Sequence, residues 1–218
     1  MHLDKVYEDD NLMIINKPRG LVAEHGTGVT STTLQDILQE TQPNNLDRGG
    51  IVHRLDKNTC GLLIIAKDLE TQGKLVEMMK NREIEREYIG LVEGQIHRNG
   101  TINKNLIRSP RNRTKYITTE TGGRDAITHY EVIELYKKHT LVRFRLETGR
   151  THQIRVHSKS IGHALVGDPE YNPKSSIKVG VQMLESVRLA FIHPITGEKI
   201  DITIPPSQLF NEVKKKIS

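Results

Sequence analysis

The chain has 218 residues, a formal net charge of +5, one cysteine and no tryptophan. A lone Cys60 excludes an intrachain disulfide, which suits a reducing compartment. No apolar run approaches the roughly 20 residues that span a bilayer, and Met1-His2-Leu3-Asp4-Lys5 lacks the basic-then-apolar pattern of a leader, so a soluble, cytoplasmic protein is expected. The excess of cations is compatible with a polyanionic partner without specifying one.

Leu12-Met13-Ile14-Ile15 is a short apolar strand, ended by Asn16-Lys17-Pro18. Gly26-Thr27-Gly28 is too short for a nucleotide-binding fingerprint and reads as a turn. Ser31 can cap a helix through Leu34, Ile37 and Leu38, whose spacing follows one helical face. Leu62 to Ala66 reads as a buried strand. Asp68 can cap a second helix with Leu69, Gly73, Val76 and Met79 as its buried stripe. Gly73 weakens that helix by about 1 kcal/mol against alanine.

Beyond Tyr88 the period changes. Tyr88 to Val92 is a strand, and Tyr130 to Leu135 and Thr140 to Leu146 form a hairpin around Lys137-Lys138-His139. In its second arm Val142, Phe144 and Leu146 alternate with Arg143 and Arg145, one face packed and the other wet or facing RNA. Val187 to Ile192 and Lys199 to Ile204 form another hairpin through Pro194-Ile195-Thr196-Gly197. Pro205-Pro206 then starts a helix with Leu209, Phe210, Val213 and Ile217 as its stripe, and Lys214, Lys215 and Lys216 suit the dipole of its last turn. Hairpins, few helices and no strict βα alternation argue for an α+β fold on an antiparallel or mixed sheet. No linker or repeat divides the chain, so one domain over 1–218 is expected.

Three clusters carry candidate chemistry. Asp56 stands among basic and apolar neighbours in Gly50-Ile51-Val52-His53-Arg54-Leu55-Asp56-Lys57-Asn58-Thr59-Cys60-Gly61, just before an apolar strand. A carboxylate there is either a turn former or a catalytic group. Thr148-Gly149-Arg150-Thr151-His152-Gln153-Ile154-Arg155-Val156-His157 is unusually dense in hydrogen-bond donors. Between Arg108 and Arg124, the cations Arg108, Arg111, Arg113, Lys115 and Arg124 face one acid, Glu120. That stretch is either a solvated loop or a phosphate-gripping one. A metal site among His53, His152, His157 and His163 is disfavoured, since no cysteine pair or HExxH motif accompanies them.

The first two clusters resemble signature motifs of the RluA family of pseudouridine synthases, H-R-L-D-x-x-T-S-G-L-L and G-R-T-H-Q-I-R-x-H. Asn16-Lys17-Pro18-Arg19-Gly20, Arg86-Glu87-Tyr88, His163 to Asp168 and Arg188 to Pro194 resemble further motifs in the same order. The resemblance implies a mixed, mostly antiparallel sheet split by a central cleft, flanked by helices and loops. It implies an RNA pseudouridine synthase that isomerises specific uridines in ribosomal or transfer RNA. A monomer that uses no cofactor and no metal is expected, since the sequence offers no metal-ligand set and no phosphate-cradling glycine loop. By the same resemblance Asp56 is the catalytic aspartate and Arg155 its cation partner. Tyr88 faces the target uracil, Arg54 enters the RNA stack where the base leaves, and Leu184 packs near the base. Arg108, Arg111, Arg113 and Lys115 would contact phosphates. Many members carry a small RNA-binding domain before the core; here the opening motif begins at about Tyr7, and none is expected.

Cys60 stands in the serine place, Ala164 where proline is usual, and Asn172 where glycine is common. None of these removes a catalytic group. Two rival readings are a non-catalytic RNA-binding or assembly protein on the same fold, and a nucleoside or glycoside hydrolase using Asp56. The first has no need of Asp56, Tyr88 and Arg155 together; the second lacks a second carboxylate to activate water.

Overall fold

A computed structural model describes residues 3–26, 28–41 and 46–217. Thr27 of the expected Gly26-Thr27-Gly28 turn lies outside them, as do Met1 and His2 of the opening residues. The chain packs as two compact units, Met1–Glu85 with Ser186–Ile204, and Arg86–Glu185 with Pro205–Ser218.

The first unit is built on β1 (Lys5–Glu8), β2 (Leu12–Lys17), β3 (Cys60–Ala66), β10 (Leu184–Ile192, from Ser186 onward) and β11 (Lys199–Thr203). They lie in the order β1-β2-β3-β10, with β11 on β10. The pairs β1·β2, β2·β3 and β10·β11 are antiparallel. All seven residues of β3 are buried, which is why this strand reads as an unbroken apolar run. At its start Gly61 has φ +112, and an added Cβ would meet the Ser186 carbonyl oxygen at 2.0 Å. Only glycine allows the two strands to approach there. Leu12, Ile14, Leu62, Ile64, Leu189 and Phe191 form the centre of the core.

Two helices belong to this unit, α1 (Leu34–Thr41) and α2 (Leu69–Lys80). Ser31 does not cap α1. Thr33 does: its Oγ1 accepts from Asp36 N–H at 3.2 Å, and the Asp36 carboxylate accepts from Thr33 N–H at 2.8 Å, a reciprocal box. Asp68 caps α2 as expected, accepting from Thr71 N–H at 2.8 Å. The expected stripe of α2 is rotated. Leu69 is 73% exposed, while Thr71, Gln72 and Leu75 are buried. Apolarity misled here because two polar residues are satisfied inside: Thr71 donates to Asp68, and Gln72 donates to the Asp47 carbonyl.

The second unit contains β4 (Glu85–Glu93), β5 (Gly100–Asn103), β8 (Ile127–Leu135) and β9 (His139–Leu146), ordered β4-β9-β8-β5 and all antiparallel. The expected wet face of β9 is partly ion-paired: Arg143 reaches Glu131 at 2.9 Å and Glu87 at 3.6 Å. A separate two-stranded hairpin is formed by β6 (Asn105–Arg108) and β7 (Tyr116–Thr119). Here the basic stretch proves to be a hairpin with a tip over Ser109–Lys115, where Ser109 N–H donates to the Lys115 carbonyl. Two helices complete the unit, α3 (Gln153–Ser160) and α4 (Gln208–Ile217). Helix α4 starts at Gln208, after the prolines, because Ser207 caps it: its Oγ accepts from Phe210 N–H at 3.2 Å. Phe210, Val213 and Ile217 are its buried stripe. Among the described residues, no helix is long and apolar enough to cross a membrane.

Candidate active site

Asp56 lies in the first unit, half-buried, in the irregular segment that leads into β3; Arg54, two residues before it, is exposed. Thr59 N–H donates to the Asp56 carbonyl at 3.0 Å, closing a turn over Lys57 and Asn58. The turn after β2 grips this one. Lys17 has no exposed surface. Its Nζ donates to the carbonyls of Leu21 at 2.8 Å, Pro18 at 3.0 Å and Lys57 at 3.3 Å. Gly20 N–H donates to the Lys57 carbonyl at 2.8 Å, and Arg19 donates to the Asn58 carbonyl. Arg19 also lies 3.3 Å from the Cys60 sulfur. Burial pulls the Lys17 pKa down to about 8, while Cys60 and Asp56 push it up. The turn that follows Asp56 is thus fastened at Lys57 and Asn58 by the segment Lys17–Gly20. The bracing role of Lys17 escaped the sequence, where it read as the end of a strand and as part of the Asn16–Gly20 motif; the one further signal was a lysine two residues beyond an apolar run.

Tyr88, Arg155, Leu184 and the four hairpin cations lie in the second unit. Tyr88 is buried on β4, opposite Phe144 of β9, and Leu184 is buried at the start of β10. Arg155 sits in the first turn of α3, a helix that sequence periodicity did not reveal. The donor-rich motif is consumed in building that helix start. His152 takes the left-handed conformation at φ 58, and Gln153 becomes a buried node. Its Oε1 accepts from Thr148 Oγ1 at 2.8 Å and Arg150 N–H at 2.9 Å; its Nε2 donates to the Ile127 carbonyl and Thr128 Oγ1, both at 3.0 Å.

Arg155 is committed through two of its nitrogens. Nε donates to Asp168 at 2.8 Å, and Nη2 donates to Asp168 at 2.9 Å and Glu170 at 2.8 Å. Its guanidinium carbon stands 4.9 Å from the centre of the Tyr171 ring. Burial pushes the Asp168 pKa up, but Arg155 and the backbone amides of Tyr171 and Glu170 outweigh it, holding the group ionised below the usual carboxylate range. Asp168 was visible in the sequence only as part of a closing motif; its partner 13 residues earlier is a tertiary fact.

The four hairpin cations differ in kind. Arg111 and Arg113 are exposed at the tip. Arg108 stands 5.8 Å from the centre of the Tyr116 ring. Lys115 turns inward and donates to the Glu170 carbonyl at 2.7 Å. Tyr116 N–H donates to the Tyr171 hydroxyl at 2.9 Å, and that hydroxyl meets His152 Nδ1 at 2.8 Å. The tip end of β7 is therefore tied to the same Asp168–Tyr171 segment that grips Arg155. His157 is buried between Thr128 Oγ1 and the Lys104 carbonyl, and His163 contacts the Glu93 carbonyl. Among the described residues, no group of three histidine, cysteine, aspartate or glutamate side chains is placed to hold a metal ion.

The chain is similar to known proteins in sequence and in fold. Residues 11–160 match the family model described as RNA pseudouridylate synthase. The chain is 42% identical over 221 residues to the ribosomal large subunit pseudouridine synthase D of Escherichia coli (strain K12), covering 94% of this chain and 68% of that protein. It is 40% identical over 218 residues to the protein of the same name in Vibrio parahaemolyticus, covering 93% of this chain and 67% of that one. The solved structure of human RNA pseudouridylate synthase domain containing 4 superposes with a TM-score of 0.78 at 20% identity, covering 98% of this chain and 92% of that chain. That of human RNA pseudouridylate synthase domain containing 1 gives 0.72 at 23% identity, covering 99% and 94%. These two show a shared fold.

The chain belongs to the RNA pseudouridylate synthase family. Within it, the chain is of the RluA type, an enzyme that isomerises uridine in RNA.

Proposed function

We propose that the substrate is ribosomal RNA of the large subunit and that Asp56 is the acting carboxylate. The 42% identity to a protein named for that RNA supports the first part. The observation that carries the second is the bracing of the Asp56 turn by Lys17, Arg19 and Gly20, which fixes the backbone beneath a half-buried carboxylate.

The reaction breaks the bond from N1 of uracil to C1′ of the ribose and joins C5 to the same carbon. The proton on C5 leaves and N1 gains one, so the product is an isomer. Positive charge develops on the sugar as the first bond breaks, and Asp56 is the group that meets it, by attack, by charge stabilisation or by removing a sugar proton. No second carboxylate is needed, because the departing uracil returns and no water is activated. Tyr88 offers the face on which an extruded uracil stacks, and Leu184 packs beside the base. Arg54 enters the space the base vacates, and Arg111 and Arg113 hold phosphates. The chain acts as one catalytic domain and as a monomer in the cytoplasm.

The test is to map pseudouridines in RNA from cells with and without this gene, and to treat unmodified ribosomal and transfer RNA with the purified protein. Sites in large-subunit RNA that vanish with the gene and return in vitro are expected. Modification confined to transfer RNA would overturn the assignment of substrate.

A further inference from the structure

Arg86, the second residue of β4, is only 6% exposed. A buried guanidinium is ordinarily met by a carboxylate, because an unmatched charge inside a protein is a large standing cost to the fold. Arg155 is met in that way by Asp168 and Glu170. Arg86 is not. Among the described residues it makes no ion pair and no side-chain hydrogen bond, and its Nε is sealed from solvent without an acceptor. Burial lowers its pKa from the ordinary arginine value, and the phenol of Tyr88 pushes the other way.

The place is nonetheless kept open for this side chain. A Cβ added at Gly149 would lie 2.7 Å from Arg86 Nη1 and 3.8 Å from the guanidinium carbon. Gly149 has no left-handed φ to explain it; what it supplies is room. Arg86 and Tyr88 are two residues apart on one strand, so their side chains share a face. A full positive charge, unmatched and held beside the ring proposed to stack the uracil, calls for an anion. A phosphodiester supplies both the charge and the paired oxygens that suit a guanidinium fork, whereas a uracil carbonyl would leave the charge unmatched.

We infer that Arg86, in the space kept by Gly149, is a phosphate-binding site for the RNA backbone and takes the phosphodiester that adjoins the nucleotide stacked on Tyr88. This rests on the role proposed above for Tyr88. In the apo protein the charge has no partner among the described residues; substrate completes the pair.

Arg86→Met, Arg86→Lys and Gly149→Ala test it, with a synthetic RNA carrying the mapped uridine as probe. Arg86→Met removes an unmatched buried charge, so the apo protein should melt at or above the wild-type temperature. Its affinity for the RNA should fall about 10- to 100-fold. The slope of log affinity against log salt should become shallower by about 0.7 to 0.9, the signature of one phosphate no longer neutralised. Arg86→Lys should restore that slope without restoring full affinity, and Gly149→Ala should weaken binding in the wild type but not in Arg86→Met. A neutral methylphosphonate at the phosphates flanking the target uridine should weaken the wild type and leave Arg86→Met indifferent. The inference is overturned if Arg86→Met binds with unchanged affinity and slope, or if the methylphosphonate weakens both proteins equally. That holds whatever the variant's melting temperature. Wild-type protein that makes no pseudouridine in this RNA would instead remove the reading beneath it.

Discussion

Three buried cations are treated in three ways. Lys17 is solvated by backbone carbonyls and Arg155 by two carboxylates, while Arg86 has no such partner among the described residues. The first two lead to predictions about pH. Lys17 titrates near 8 in the folded protein against an ordinary value of 10.5. Between those values the unfolded chain binds more protons, so stability should rise with pH across that window, by roughly 2–4 kcal/mol. Lys17→Met should abolish the rise. It should also slow turnover more than it weakens RNA binding, because the Lys57 carbonyl loses its brace beside Asp56. Denaturant titrations of the wild type from pH 7 to 10.5 check this, and a flat profile would rule out a depressed Lys17. Asp168 has the opposite sign. Its folded pKa lies below its unfolded value, so its contribution is present above the ordinary aspartate range and is lost as pH falls through the folded value. Asp168→Asn breaks a buried pair and should cost about 3–5 kcal/mol at neutral pH. The same variant should flatten the acid limb of the stability profile, and an unchanged limb would contradict this reading.

At the scale of elements, the β6–β7 hairpin should separate function from structure. Arg111→Ala with Arg113→Ala should leave melting unchanged and reduce the salt slope of RNA binding by about 0.7 to 0.9 for each phosphate no longer held. Lys115→Met should instead lower stability, since Lys115 anchors the hairpin to the Glu170 carbonyl. Equal behaviour of the two variants would show that this division is wrong. The four cations looked alike in sequence because charge is local and its partners are not. The same limit explains the other departures. Strands β2, β3, β4, β8, β9, β10 and β11 were legible, since apolar runs and alternation are local signals. Helix α3 was hidden because its buried face includes Gln153, Arg155, His157 and Ser158, polar residues whose packing depends on distant parts of the chain. The cap of α1 was misplaced by two residues, since Ser31 and Thr33 are equally good candidates until the box with Asp36 forms.

For the whole molecule, the resemblance of ordered motifs located the family, and the family model and relatives bear that out. What the sequence did not show is how much of those motifs is scaffold. Thr148, Gln153, His157 and Asp168 serve to place α3 and Arg155, and Lys17 to Gly20 serve to hold the Asp56 turn. The chemistry proposed above therefore falls to very few side chains and centres on Asp56. The most direct measurement compares the purified wild-type protein with Asp56→Asn on unmodified large-subunit ribosomal RNA, following melting, RNA affinity and pseudouridine formed. The amide keeps the shape of the side chain but cannot attack, take a proton or offset charge on the sugar. Asp56→Asn should melt within a few degrees of the wild type, bind the RNA with similar affinity and form no pseudouridine. Turnover retained by the folded variant would contradict the mechanism at its centre.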